Sequence, residues 1–125
     1  MVKIADLNGR RYRRNAPGED PNAVYLVIDS QLRWIANPPT YKNLFPDNEG
    51  IYSETFLDDI PGGQVIDGAT LARPGNDAAI YLMIDGKKRL IPNPATMDRY
   101  HFNWDNVASI PVNAMNDVPT GDPVP

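Results

Sequence analysis

The sequence predicts an all-β domain with short helical turns, built from two tandem units of about 58 residues in one closed barrel or prism-like body with pseudo-twofold symmetry. Three observations predict it: an internal duplication, a β-hairpin signature in each copy, and 13 prolines and 9 glycines that punctuate the chain as they do between many short strands.

The duplication is plainest where Ala23 to Thr40 aligns without gaps on Ala79 to Thr96, at an offset of 56 with ten of 18 positions identical. Asn8-Gly9 and Tyr12 to Arg14 fall on Asp67-Gly68 and Leu71 to Arg73, and Ile60 to Gly63 falls on Val118 to Gly121. The units run about 7–65 and 66–123, so residues 1–125 read as one domain of two repeats. At 125 residues the chain can bury roughly two-thirds of its unfolded surface, but neither half would have a core of its own.

Each element has a local cause. Residues 1–14 hold Lys3, Arg10, Arg11, Arg13 and Arg14 against Asp6, which reads as a charged strand edge that discourages edge-to-edge pairing. This N-terminal strand is expected to pair near the second unit and close the ring. Asp85-Gly86 suits a type I′ turn, which needs positive φ at both central residues. The strands around it then pair Ile84 with Lys87, Leu82 with Arg89 and Ile80 with Ile91 on one face, Tyr81 with Leu90 and Met83 with Lys88 on the other. The first unit has the same hairpin around Asp29-Ser30, where serine replaces glycine in a more strained turn or one of another type. Asn37-Pro38 and Asn93-Pro94 are helix starts, with asparagine as N-cap and proline at the first helical position. They predict one or two turns over Pro38–Leu44 and Pro94–Tyr100. Ile51–Leu57 and Val107–Ile110 read as strands, and the Pro- and Asp-rich tail after Asn116 is expected to fray.

The second unit combines Tyr81-Leu82-Met83-Ile84-Asp85-Gly86, Arg89, Ile91-Pro92-Asn93-Pro94 and then Phe102-Asn103-Trp104. This pattern resembles the tandem repeats of bacterial exported, cell-surface and lectin-like proteins. The first unit departs from it at Ser30 and Ala36, where the pattern has glycine and proline. The resemblance implies a surface-recognition context and attaches no activity.

Composition narrows the chemistry. The net charge is −4 with a single small basic arm, which argues against nucleic-acid binding, since that needs many phosphate contacts. The chain has no cysteine and one histidine, His101, so transition-metal sites and Cys- or His-based nucleophilic catalysis lack their parts. No Gly-x-Ser-x-Gly elbow or phosphate-cradling glycine loop occurs. Asp47 to Gly50 and Asp58-Asp59 are rich in oxygen ligands but lack EF-hand spacing, and read as turn residues on a solvated acidic face. Neither cofactor nor metal is expected, and the chain does not read as an enzyme. Its start lacks an apolar signal core, and Ala23 to Ile28 is far too short to span a bilayer. A soluble chain without membrane insertion follows, with localisation open and export included.

The site candidates are polar and aromatic. Arg33 and Arg89 sit at the same place in both units on an apolar strand face. Each is either a fork holding an adjacent loop, with Asp29 and Asp85 as carboxylate partners, or a donor for sugar hydroxyls or an acidic ligand. Asn37 and Asn93 either cap helices or bond ligand. Trp34 and Trp104, with Tyr41, Tyr52 and Tyr100, are the rings on which a sugar face could stack. Trp104, in a polar loop, is the best single candidate; Trp34 is replaced by Leu90 in the second unit. A non-catalytic carbohydrate- or cell-surface-binding, lectin-like module is the function this inventory favours, with a glycan or cell-surface polymer as partner. The alternative is a structural or protein-interaction module without a small-molecule site. Homo-oligomerisation is compatible with either.

Overall fold

A computed structural model describes residues 3–14, 18, 22–54 and 59–125. The chain is mostly strand with short helices. In the first half these are β1 (Arg11–Arg14), β2 (Val24–Ile28), β3 (Gln31–Ile35), α1 (Pro38–Leu44) and β4 (Tyr52–Glu54). In the second half they are β5 (Thr70–Pro74), β6 (Ile80–Ile84), β7 (Lys87–Ile91), α2 (Pro94–Tyr100), β8 (Val107–Ile110) and α3 (Val112–Asn116). Single 3-10 turns lie at Ile4–Leu7 and Trp104–Asn106.

The strands form two four-stranded sheets, ordered β3-β2-β1-β4 and β7-β6-β5-β8. In each, the hairpin and the next strand are antiparallel, and the last strand joins in parallel. The hairpin registers are those the turn chemistry predicts: Leu26 opposite Arg33 and Tyr25 opposite Trp34, Leu82 opposite Arg89 and Tyr81 opposite Leu90. Asp29, Ser30 and Asp85 have φ near +55 to +59°, and Gly86 has +73°, so both turns take the left-handed conformation and only Ser30 does so without the help of a short carboxylate or a missing Cβ. The Ser30 amide is fixed there by a 2.8 Å bond to the Asn8 side-chain oxygen.

Three expectations are corrected. No closed barrel forms among the described residues; the β3 and β7 edges are covered instead by the extended chain that follows each sheet. Leu32 pairs with Gly62 and Ile35 with Ile66, while Lys88 pairs with Thr120. These approaches need small residues. A Cβ on Gly63 would sit 2.8 Å from the Arg33 Cγ, and one on Gly121 would sit 3.2 Å from the Arg89 Cγ. The tail after Asn116 therefore docks rather than frays, and Val124 is buried with its amide bonded to the Leu90 carbonyl at 2.9 Å. Finally, β1 does not reach across to the second unit. It lies between β2 and β4, and its first arginine is held rather than solvated. Arg11 is buried, donates 2.6 Å to the Tyr41 hydroxyl and to the carbonyls of Asp47 and Glu49, and lies over the Phe45 ring.

The strand predicted over Ile51–Leu57 is present at Tyr52–Glu54, and its last three residues lie outside the described ones, as does Asp58. The main hydrophobic cluster draws on both halves. Leu26, Ile28, Leu44 and Phe45 from the first pack with Leu71, Leu82, Met97, Tyr100 and Val124 from the second. A smaller cluster of Tyr12, Val27, Leu32 and Ile60 covers the opposite face of the first sheet.

Candidate functional site

The shared polar residues of the two hairpins meet in a crossed arrangement. Arg33 holds Asp85 through two bonds of 3.0 and 2.7 Å, and Arg89 holds Asp29 through two of 2.6 and 2.7 Å. Each arginine thus clamps the turn carboxylate of the other unit, where the sequence suggested an adjacent loop. The third guanidinium nitrogen turns to the chain covering its own strand: Arg33 Nε to the Gln64 carbonyl at 2.5 Å, Arg89 Nε to that of Asp122 at 2.7 Å. The Asp29 carboxylate bonded to Arg89 holds that guanidinium still more firmly in its charged form. The donors of both arginines are consumed inside the chain.

Asn37 and Asn93 are N-caps. Each side-chain oxygen accepts from an amide and a hydroxyl, of Thr40 at 3.0 and 2.8 Å and of Thr96 at 2.8 and 2.9 Å. Asn37 also donates to Asp67 at 3.0 Å.

The two tryptophans behave differently from these polar residues. Trp34 is 42 % exposed and Trp104 45 %. Trp34 lies at the rim of an open hollow of about 380 Å³, whose polar lining is Arg13, Asn22, Asn37, Lys42 and Asn48 together with Tyr41. The volume is at the small end of the range of roughly 300–1,000 Å³ usual for small-molecule sites. On its other side Trp34 borders a second hollow with Tyr25, Arg14 and the Gly62-Gly63 segment. Strand register places four aromatic residues in one row: Trp34 opposite Tyr25, Tyr25 opposite Tyr12, and Tyr12 beside Tyr52. In the second sheet the same row reads Leu90, Tyr81, Ala72 and Ala108. That register also sets Arg11, not Tyr12, where the second unit has Leu71, one residue off the alignment that the Asn-Gly and Asp-Gly pairs suggest.

Trp104 borders a third hollow of about 380 Å³ with Asp98, His101, Asn103 and Asp105, and its indole N–H donates to Asp98 at 3.1 Å. His101 takes a left-handed φ of 60° where α2 ends, and its Nε2 lies 2.8 Å from Asp47. The His101 hydrogen bond, followed by one from the Glu49 amide, holds the Asp47 carboxyl below its ordinary range. The Asp47 carboxylate is thereby occupied in a turn and an inter-unit contact, and Glu49 contributes its main chain. Of the other aromatic candidates, Tyr100 is buried with its hydroxyl on the main-chain oxygen of Pro125 at 3.0 Å, and burial pushes its ionisation far up. Tyr41 is also raised by burial and donates to the Asp47 carbonyl. Tyr52 is exposed, with Arg10 over its ring.

Sequence reasoning found Trp34 and Trp104, and Asn37 and Tyr41 beside Trp34, but not the other polar residues that line that hollow. Arg13, Asn22, Lys42 and Asn48 come from three separate stretches of chain, and no local pattern joins them. No protein-family model, no curated protein and no solved structure significantly matches the chain.

Proposed function

We propose that this chain is a non-catalytic, lectin-like module that binds a carbohydrate or cell-surface polymer, with its two units related by a pseudo-twofold axis and each presenting one tryptophan at a hollow. One observation carries this: the chain has two tryptophans, and both stand at the rim of an open, polar-lined hollow with more than 40 % of their surface exposed. Indole is a large ring that chains bury wherever the fold can use it. Leu90 fills the place of Trp34 in the second sheet, so the fold does not require tryptophan there. A half-exposed indole beside amides and charged groups suits a pyranose, whose C–H face stacks while its hydroxyls find donors and acceptors.

Shallow sites of this kind bind at millimolar to micromolar Kd, roughly −4 to −8 kcal/mol, and two of them on one chain add avidity. The test is a broad glycan array followed by titration of a hit on wild type, Trp34→Ala and Trp104→Ala, read by indole fluorescence. Each substitution removes part of the binding without unfolding the protein, and a chelator changes nothing. An array without a hit refutes the carbohydrate reading.

The consumption of Arg33, Arg89, Asn37 and Asn93 in internal bonds favours a second reading for those four: they serve the fold alone. With an empty array, the exposed indoles would then belong to a protein contact.

A further inference from the structure

Resting on the carbohydrate reading, we infer that the hollow with Trp34 takes an acidic sugar, one that carries a carboxylate, and that the hollow with Trp104 does not. The chain as a whole is acidic, at −4, yet among the described residues that line the hollow with Trp34 the charged groups are two cations, Arg13 and Lys42. Arg13 lies two residues beyond Arg11 on the same face of β1, but unlike Arg11 it is not consumed. Its Nε is buried and has no hydrogen-bond partner, and among the described residues no carboxylate pairs with it. A buried guanidinium nitrogen left without an acceptor is an uncommon feature that calls for a partner. Lys42 is exposed on α1 at the same hollow and, among the described residues, is likewise without an ion pair.

Two acids are turned to other work: Asp67 accepts from Asn37, and Asp47 accepts from the Glu49 amide and faces His101. The hollow with Trp104 has the opposite sign, with Asp98 and Asp105 on its wall. Asp98 occupies the place in α2 that Lys42 holds in α1, so one helical position reverses charge between the hollows. A guanidinium fork and an ammonium beside an indole hold a carboxylate by its oxygens while the ring stacks the pyranose. Two cations in an acidic chain suit a single carboxylate and fall short of a phosphate backbone.

The experiment titrates the full chain by calorimetry with two matched pairs: a galacturonate oligomer against its methyl ester, and sialyllactose against lactose. The acidic member of at least one pair binds about tenfold tighter than its neutral partner, the size of one charge-assisted hydrogen bond, and which pair responds separates uronate from sialate. Arg13→Gln and Lys42→Gln each reduce that preference, Trp34→Ala weakens the acidic ligand, and Trp104→Ala leaves the preference intact. Lys42 is exposed, so its variant keeps the test open should Arg13→Gln fail to fold. Equal binding of acidic and neutral partners, a preference that survives in Lys42→Gln, or array hits confined to neutral glycans overturn the acidic-sugar inference and leave the carbohydrate reading standing. An array with no hit overturns both.

Discussion

Asp85→Ala removes one half of a crossed clamp, and its consequence can be worked from the geometry. The Arg33 side chain is 4 % exposed and Asp85 34 %, with two charge-assisted bonds between them. Breaking a buried pair from one side costs about 3–5 kcal/mol, because the remaining charge stays desolvated. Here water reaches Asp85, which screens part of the attraction, and Arg33 keeps its bond to the Gln64 carbonyl. The loss should therefore be about 2–3 kcal/mol, or a fall in Tm of about 10 °C for a chain of this size. Urea denaturation of wild type, Arg33→Met, Asp85→Ala and the double variant gives the coupling, expected at about 2 kcal/mol. The same cycle with Arg33 and Asp29, residues of one unit that share no bond, should give less than about 0.5 kcal/mol. Coupling of Arg33 to Asp29 that equals or exceeds its coupling to Asp85 would refute the crossed arrangement.

Two further outcomes follow from local geometry. Ser30 holds a φ of +59°, and glycine keeps its amide bond to Asn8 while shedding the Cβ strain. Relief of about 1–2 kcal/mol, less the added chain entropy of glycine, leaves Ser30→Gly more stable by about 0.5–1 kcal/mol. Gly86→Val meets no neighbour within 4 Å at a φ of +73°, so it loses stability through backbone strain alone, by more than about 1 kcal/mol. Unchanged Tm values for both would remove the type I′ assignment. Asp47 titrates below 3.8, held down first by His101 and then by the Glu49 amide. A carboxyl with a depressed folded pKa stabilises above its unfolded value and loses that contribution as the pH falls through the folded one, so the effect is confined to pH below about 4. Carboxyl NMR should show the low midpoint and its return toward 3.8 in His101→Ala; a midpoint that ignores the histidine contradicts the contact.

What the sequence made legible is what short-range physics decides. The Asp-Gly turn fixes the hairpin register, because only one pairing follows from two residues at positive φ, and Leu82 accordingly faces Arg89. Asn37 and Asn93 cap Pro38–Leu44 and Pro94–Tyr100 because their side chains reach the amides three residues on. The misreadings arise at longer range. Asp29 and Asp85 stand four residues before Arg33 and Arg89 in sequence, which suggests a pair within each unit, yet their partners lie 60 and 52 positions away. The Pro- and Asp-rich tail looked like a fraying end because its composition is that of loops. Its docking depends on Gly121 and Val124 meeting β7, a contact that composition does not encode. The hollow with Trp34 was hidden for the same reason, since its walls are joined only by the packing of β1, β3 and α1.

The duplication also separates what the fold needs from what it merely carries. Positions identical in both units, the hairpin aspartates, the arginines opposite the second strand and the capping asparagines, all end in bonds within the chain. Two units that must clamp one another are not free to change these, for a new residue in one would leave a buried charge in the other. The units differ in the interior at Arg11 against Leu71 and Tyr12 against Ala72, and toward solvent at Trp34 against Leu90 and Tyr52 against Ala108 along the strand row and Lys42 against Asp98 on the short helices. An exposed residue that varies between two copies of one scaffold is not required by the scaffold. Trp34 and Lys42, a half-exposed ring and a cation that differ between the units and line one hollow, therefore point outward to a ligand, while the arginines opposite the second strand point inward to each other's turns.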